Sequence, residues 1–254
     1  MEKTPEELKH GFFLRGGNPD LVICVHGFGG SPAEHYRTAQ ALNAAGYSVS
    51  APLLKGHGTS LEDFDHSHYP EWIASVEEDY AKRKEDYRFV YFVGLSMGGL
   101  LSLYMAEHHP EIKAISLMAP ALIYKNKSTS CAWILLPWKK HIPFSGEMPG
   151  ITPENLAYLH AGYGMSSVPG VIQMTKLQRI VKKDLASVNC PLIIFQSKAD
   201  GLVDPKTEDY VLNHVSSTQK KGLMFGTSSH VMSLDSDRER IFKETIAFFQ
   251  STQG

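Results

Sequence analysis

Cysteine is nearly absent from this chain. Its 254 residues include three, Cys24, Cys131 and Cys190, odd in number and without a CxxC spacing. That argues against both a disulfide framework and a cysteine-based zinc site. A surplus of either charge is lacking too. Twenty-five Lys and Arg stand against 27 Asp and Glu, for a net charge of −2, so no nucleic-acid partner is expected. No run reaches the roughly 18 consecutive apolar residues of a membrane span, and no stable membrane insertion is expected. The first nine residues, Met1 to Lys9, are charged and have no apolar centre of the kind a signal peptide needs. This predicts a cytoplasmic protein. His66, His68, His108 and His109 show no metal-ligand spacing tied to carboxylates, so neither metal nor cofactor is expected.

What remains is an ordinary packed protein, 43% apolar and 20% charged. Apolar runs alternate with helical patterns. Strands are predicted at Leu21–Val25, Tyr47–Pro52, Phe89–Val93, Ala114–Met118, Leu192–Phe195 and Leu223–Phe225. Ser31-Pro32-Ala33-Glu34 reads as a helix start, with the serine as cap and Glu34 completing a capping box. Trp72, Val76 and Tyr80, four residues apart, mark one face of a helix opening at Pro70. Continuous apolar strands alternating with helices predict an α/β fold with a mostly parallel central sheet and helices on both faces. Residues 120–185 break the alternation. They mix turn formers with apolar side chains such as Leu136, Trp138, Phe144, Tyr158, Tyr163 and Met165, and are too long for a connection and too apolar for a linker. They are read as a small inserted cap, with residues 1–119 and 186–254 as the core.

Chemistry enters with Gly94-Leu95-Ser96-Met97-Gly98. The pattern G-x-S-x-G is the nucleophile elbow, a tight strand-to-helix turn that exposes a serine hydroxyl. A chain of this length has roughly a one-in-ten chance of one such match. Here it directly follows the clearest strand and precedes a mostly apolar helix, which a surface turn serine would not require. His26-Gly27-Phe28-Gly29-Gly30 follows the first strong strand. A glycine-rich turn there offers backbone N–H groups to a developing oxyanion, together with the N–H after the nucleophile. These are Phe28 and Met97, with His26 read as a structural bond within the loop.

Past the strand at Leu192–Phe195 two aspartates compete for the triad acid. Asp204 precedes Pro205 and a helical stretch, so it has a separate task as a helix cap. Asp200 has no such task and is the preferred acid. His230 lies in a polar loop after the last strand, and the order serine, acid, histidine makes it the base. His57, in Lys55-Gly56-His57-Gly58, is read as structural. Trp138, Phe144, Tyr158 and Leu159 are expected to face the serine and form an apolar substrate pocket. The basic turn Trp138-Lys139-Lys140-His141 is read as solvated.

With these residues in hand, the chain resembles the bacterial monoacylglycerol lipases and their carboxylesterase relatives, members of the α/β-hydrolase fold. The resemblance is carried by Val25-His26-Gly27-Phe28-Gly29-Gly30-Ser31-Pro32, by Leu54-Lys55-Gly56-His57-Gly58-Thr59, and by Trp72-Ile73-Ala74-Ser75-Val76-Glu77-Glu78. Val93 to Gly99 and Ala106-Glu107-His108-His109-Pro110 continue it. It implies Ser96 as nucleophile, Asp200 as acid, His230 as base and Phe28 and Met97 as oxyanion donors. Relatives that prefer monoglycerides have an acidic residue after an Ala-Tyr pair, placed to hold the glycerol hydroxyls. Here Ala157-Tyr158 is followed by Leu159 and His160. The reading is therefore a serine carboxylesterase for small-molecule esters of short- to medium-chain acids. A monoacylglycerol lipase is the near alternative, and a non-catalytic ligand receptor on the same fold the distant one.

Overall fold

Strand β2 (Asp20–Val25) shows how the sheet is built. Leu21, Ile23 and Val25 enter one buried cluster, while Val22 and Cys24 enter another. Successive strand residues point to opposite faces, so a strand apolar throughout must be covered on both sides. The structure, a computed structural model, describes residues 3–143, 150–159 and 162–253. In chain order the other strands are β1 (Phe12–Leu14), β3 (Ser48–Ala51), β4 (Phe89–Leu95), β5 (Ala114–Met118), β6 (His141–Pro143), β7 (Met165–Ser167), β8 (Leu192–Ser197) and β9 (Lys220–Phe225).

Seven of the described strands form one sheet, in the order β1-β3-β2-β4-β5-β8-β9. Every pairing in it is parallel except that of β1 with β3. The antiparallel β1 is too short, at three residues, to stand out as an apolar run. Register between β2 and β4 is pinned where they begin. Asp20, buried, pairs with Phe89 across the ladder and takes two hydrogen bonds from Arg88, at 3.1 and 2.9 Å.

The helices are α1 (Pro5–Leu8), α2 (Tyr36–Ala44), α3 (Leu61–His66), α4 (Tyr69–Arg83), α5 (Met97–His108), α6 (Pro153–Leu159), α7 (Val168–Asp184), α8 (Thr207–His214) and α9 (Arg238–Ser251). Trp72, Val76 and Tyr80 of α4 are buried on one stripe, as their spacing predicts. They share a cluster with Ile23, Phe92 and Ile115, and α2 and α9 cover the opposite face. The chain between β5 and β8 carries α6, the antiparallel β6–β7 pair that flanks it in sequence, and α7. Met174, Leu177 and Val181 of α7 join the same buried cluster as Leu100 and Leu103 of α5. Each such side chain contributes roughly 1.5–3 kcal/mol on burial. Among the described residues no helix is long and apolar enough to cross a membrane.

The expected capping box at Ser31 and Glu34 does not form. The segment begins as a 3-10 turn, Pro32–His35, without a side-chain cap from Ser31. Glu34 turns instead to the backbone of Gly27, at 3.1 Å. The carboxylate thereby satisfies a buried N–H of the glycine turn, which would otherwise lack an acceptor.

The packing at α5 makes one expectation sharp. A Cβ on Gly98 would lie 1.9 Å from the Val25 carbonyl oxygen. In a free helix Gly→Ala is favourable by about 1 kcal/mol, but here the overlap is with backbone and must push α5 off β2. Gly98→Ala is expected to lose about 2 kcal/mol net. Thermal unfolding followed by circular dichroism should show Tm lower by roughly 4–8 °C.

Candidate active site

Ser96 joins β4 to α5 with φ 55° and ψ −113°. This is a strained backbone for a residue with a side chain, costing on the order of 1–3 kcal/mol. The surroundings hold it there. Its N–H donates to the Met118 carbonyl at 2.9 Å, and its carbonyl accepts from Gly99 and Ala121, both at 3.0 Å. A Cβ on Gly94 would sit 2.3 Å from the Gly98 carbonyl oxygen. The two glycines of the pattern are thus required by close backbone approach, and the turn lifts Ser96 to the carboxyl edge of the sheet.

Three loops from that edge meet there. His230 Nε2 lies 2.8 Å from Ser96 Oγ, and its Nδ1 lies 2.9 Å from Asp200 Oδ2. All three residues are buried or nearly so. Burial by itself lowers the pKa of His230, but the facing Asp200 carboxylate and its hydrogen bond outweigh it, and Glu34 adds in the same direction. The imidazole is held above its ordinary range. Burial pushes Asp200 up, yet His230 and the N–H groups of Val203 and Leu202 bring its carboxyl below the usual range. Those N–H groups bond Asp200 Oδ1 at 3.0 and 2.8 Å. Asp200 therefore does have a local task, the closing of its own turn. Asp204 is not the helix cap it was expected to be. The N-cap of α8 is Lys206, and Asp204 Oδ1 accepts the Lys206 N–H at 3.0 Å, one turn earlier.

His230 is steadied from behind by Asp235, buried among the loop residues. Its Oδ2 accepts the Ser229 N–H at 2.7 Å and the Ser229 hydroxyl, and its Oδ1 accepts the Ser236 N–H at 2.6 Å. Sequence reasoning passed over Asp235, and a serine–aspartate cluster around a loop histidine was the available signal.

Met97 is the first residue of α5, so its N–H has no partner inside the helix and belongs to the positive end of the helix dipole. Its side chain is buried in the core. Phe28 lies in the loop opposite, along the same cavity as Ser96 and His230. His26 Nε2 accepts from Leu54 N–H at 3.2 Å, so its Nδ1 carries the proton and donates to the Gly27 carbonyl at 2.9 Å. His57 is fully buried, its Nδ1 3.2 Å from the Lys55 carbonyl, its ring tilted against Phe64 and edge-on to Trp72.

The cavity holds about 1130 Å³. Phe28, Leu156, Leu159, Val171, Met174 and Val203 supply apolar wall. Of the four residues expected to line it, Leu159 does so. Trp138 does not: it is 76% exposed on the surface. Tyr158 does not either: it is stacked on Tyr36 at 5.9 Å and lies beneath Arg37. Adjacent helix residues point about 100° apart, so Leu159 and Tyr158 of α6 could not share one wall. Phe144 lies outside the described residues. Sequence reasoning missed Tyr163, whose N–H donates to the Gly29 carbonyl at 3.1 Å and whose hydroxyl donates to Gly56 at 2.6 Å.

The family model described as "Serine aminopeptidase, S33" matches residues 18–155. The chain is 33% identical over 249 residues to a thermostable monoacylglycerol lipase of a Bacillus species, covering 96% of this chain and 95% of that one. The chain belongs to the bacterial monoacylglycerol lipase and carboxylesterase family of α/β-hydrolases. It is a serine ester hydrolase of that kind. A carboxylesterase of Bacillus subtilis is 25% identical over 240 residues, covering 94% of this chain and 95% of the other. A solved structure described with LipS and LipT, two metagenome-derived lipolytic enzymes, superposes with a TM-score of 0.87 at 27% identity, covering 96% and 98% of the two chains. Monoglyceride lipase of Saccharomyces cerevisiae shares the fold, with a TM-score of 0.82 at 17% identity over 96% and 92% of the chains.

A family hydrolase that draws on a histidine base is active only when that imidazole is neutral. Because the pKa of His230 is raised, its neutral fraction grows only as pH climbs through a value above about 6.5, the ordinary one. The acid limb of kcat/KM in steady-state ester hydrolysis is therefore expected to have an apparent pKa above that value. A limb below it would mean that another group gates activity.

Proposed function

We propose that the protein is a carboxylesterase for esters of short- to medium-chain acids, with Ser96 as nucleophile, His230 as base, Asp200 as triad acid, and the N–H groups of Phe28 and Met97 as oxyanion donors. The observation that carries the reading is the continuous hydrogen-bonded chain from Asp200 through His230 to Ser96, opening on a large and mainly apolar cavity. His230 Nε2 takes the Ser96 proton as Oγ adds to the ester carbonyl. Negative charge gathers on the carbonyl oxygen, which the two N–H groups receive. The carbon–alkoxy bond then breaks, and the imidazolium returns the proton to the departing alcohol. Water, deprotonated by His230, repeats the addition on the acyl-enzyme and frees the acid. Asp200 holds the proton of Nδ1 in place and stabilises the imidazolium without being protonated.

The acyl side is read from the cavity walls. Ligand sites of this kind gain affinity by burying methylenes, up to about 0.8 kcal/mol each. The alcohol side is read from α6, where Leu159 offers no hydrogen bond to glycerol. Monoacylglycerol hydrolysis remains the second reading, favoured by the 33% identity to a monoacylglycerol lipase.

Matched kcat/KM values for 1-monooctanoylglycerol and ethyl octanoate separate the two, with Ser96→Ala as the inactive control. We expect the values to agree within about tenfold, or 1.4 kcal/mol. A larger preference for the monoglyceride would replace the carboxylesterase reading with the lipase. Asp200→Asn is expected to remain folded by circular dichroism and to lose kcat on the order of 10⁴-fold. Asp204→Asn should keep near-normal kcat and near-normal stability, since an amide oxygen can still accept the Lys206 N–H. The reverse pattern would move the acid to Asp204.

A further inference from the structure

Glu34 is a second buried carboxylate at this site, and the proposed mechanism leaves it unused. It is 4% exposed, yet it lines the same cavity as Ser96 and His230. Its Oε2 accepts the Gly27 N–H at 3.1 Å. Its Oε1 lies so close to Gly30 that a Cβ there would stand 2.0 Å away. The carboxylate is thus tucked under the turn Gly27–Gly30, and that turn closes on itself through Gly30 N–H to the Gly27 carbonyl, at 3.3 Å.

The turn's geometry gives this placement a consequence. The Gly27–Phe28 peptide is trans, so its carbonyl and its N–H point in opposite directions. His26 Nδ1–H and Gly30 N–H hold the carbonyl. Glu34 holds the other side of the same residue, at its N–H. With Gly27 gripped at both ends, Phe28 N–H has little freedom to swing, and it faces away from His26. A flexible glycine turn would otherwise pay to be ordered at the moment of reaction.

Glu34 also acts on the imidazole. The charged groups bearing on His230 are Asp200, from the loop after β8, and Glu34, from the turn after β2. Asp200 bonds the ring directly, and Glu34 lies along the same cavity wall as the ring, so its charge acts on the imidazole across that cavity. Burial raises the pKa of Glu34 to about 7, against the pull of Gly27 N–H and His230. His26 and His35 next to it are held neutral by burial, His35 with its pKa near 4.

We propose that Glu34 is a positioning residue of this hydrolase, whose carboxyl group holds the oxyanion turn in place through Gly27 and, once ionised, supplies a second negative charge toward the imidazolium formed on His230. This rests on the reading of Ser96 and His230 as nucleophile and base. Glu34→Gln is the informative variant, since its amide oxygen can still accept from Gly27 while the charge is gone. A prop of shape alone would tolerate it.

The test compares wild type, Glu34→Gln and Ser96→Ala in p-nitrophenyl ester hydrolysis between pH 5 and 9, with Tm measured alongside. The sign follows from the charge. A carboxylate near an imidazole raises its pKa, so removing it should move the acid limb of kcat/KM to lower pH. On the alkaline plateau kcat should fall about tenfold, short of the 10²–10³ lost with a direct oxyanion donor, while KM changes little. A limb that does not move overturns the proposal, whatever happens to kcat or Tm, because a structural prop cannot shift it. Activity retained by Ser96→Ala would instead overturn the underlying reading. If Ser96→Ala is inactive and Glu34→Gln superposes on wild type, the inference about Glu34 alone fails.

Discussion

Everything at the site hangs on one backbone constraint, the turn at Ser96. The residue sits at φ 55° because β4 must end and α5 begin within two residues while α5 stays pressed against β2. Gly98 meets the Val25 carbonyl, and Gly94 meets Gly98. The same crowding that strains Ser96 brings the start of α5, the end of β2 and the loops after β5 and β8 within reach of one another. A relaxed serine would lie along the helix start and point elsewhere. The strain is stored because the sheet and helix around it are buried and over-determined.

Around that point the protein places carboxylates where water is excluded. Such groups are costly unless each oxygen finds donors. Asp200 closes its own turn with two backbone N–H groups and keeps its other oxygen for His230. Asp235 takes Ser229 and Ser236 and so sets the loop that carries His230. Glu34 takes Gly27. In each case the acid orders a loop beside the Ser96 cavity by accepting its buried N–H groups. Electrostatic pre-organisation and loop rigidity here are the same set of bonds.

The segment between β5 and β8 is joined to the core by the apolar face of α7 and, at the β6–β7 pair, by polar ties. Asp65 of α3 bonds His141 at 2.8 Å and Ser167 at 2.6 Å, on the two strands of that pair. Tyr163 reaches both the glycine turn after β2 and the loop at Gly56. Leu159 of the same segment reaches the cavity lined by Ser96 and His230.

The strands, their parallel pairing and the tight strand-to-helix turn at Ser96 were legible in the chain. Each depends on local pattern: apolar runs of strand length, helical spacing in α4, and two glycines flanking a serine at fixed intervals. Family membership was legible for the same reason, through short runs such as His26 to Pro32. The partners of Glu34 and Asp204 were not. Both carry residue types that suit a helix cap, and the choice between cap and loop brace depends on which backbone N–H is buried, which no local window contains. Trp138 and Tyr158 were misplaced because an apolar side chain announces burial or contact without saying on which face. Only the packing of the segment between β5 and β8 on α3 and the glycine turn decided that Leu159 faces the cavity, that Tyr158 packs on Tyr36, and that Trp138 remains in water. Hydrophobic period fixes which side of an element is apolar, but what that side meets is set by contacts between residues more than a hundred positions apart.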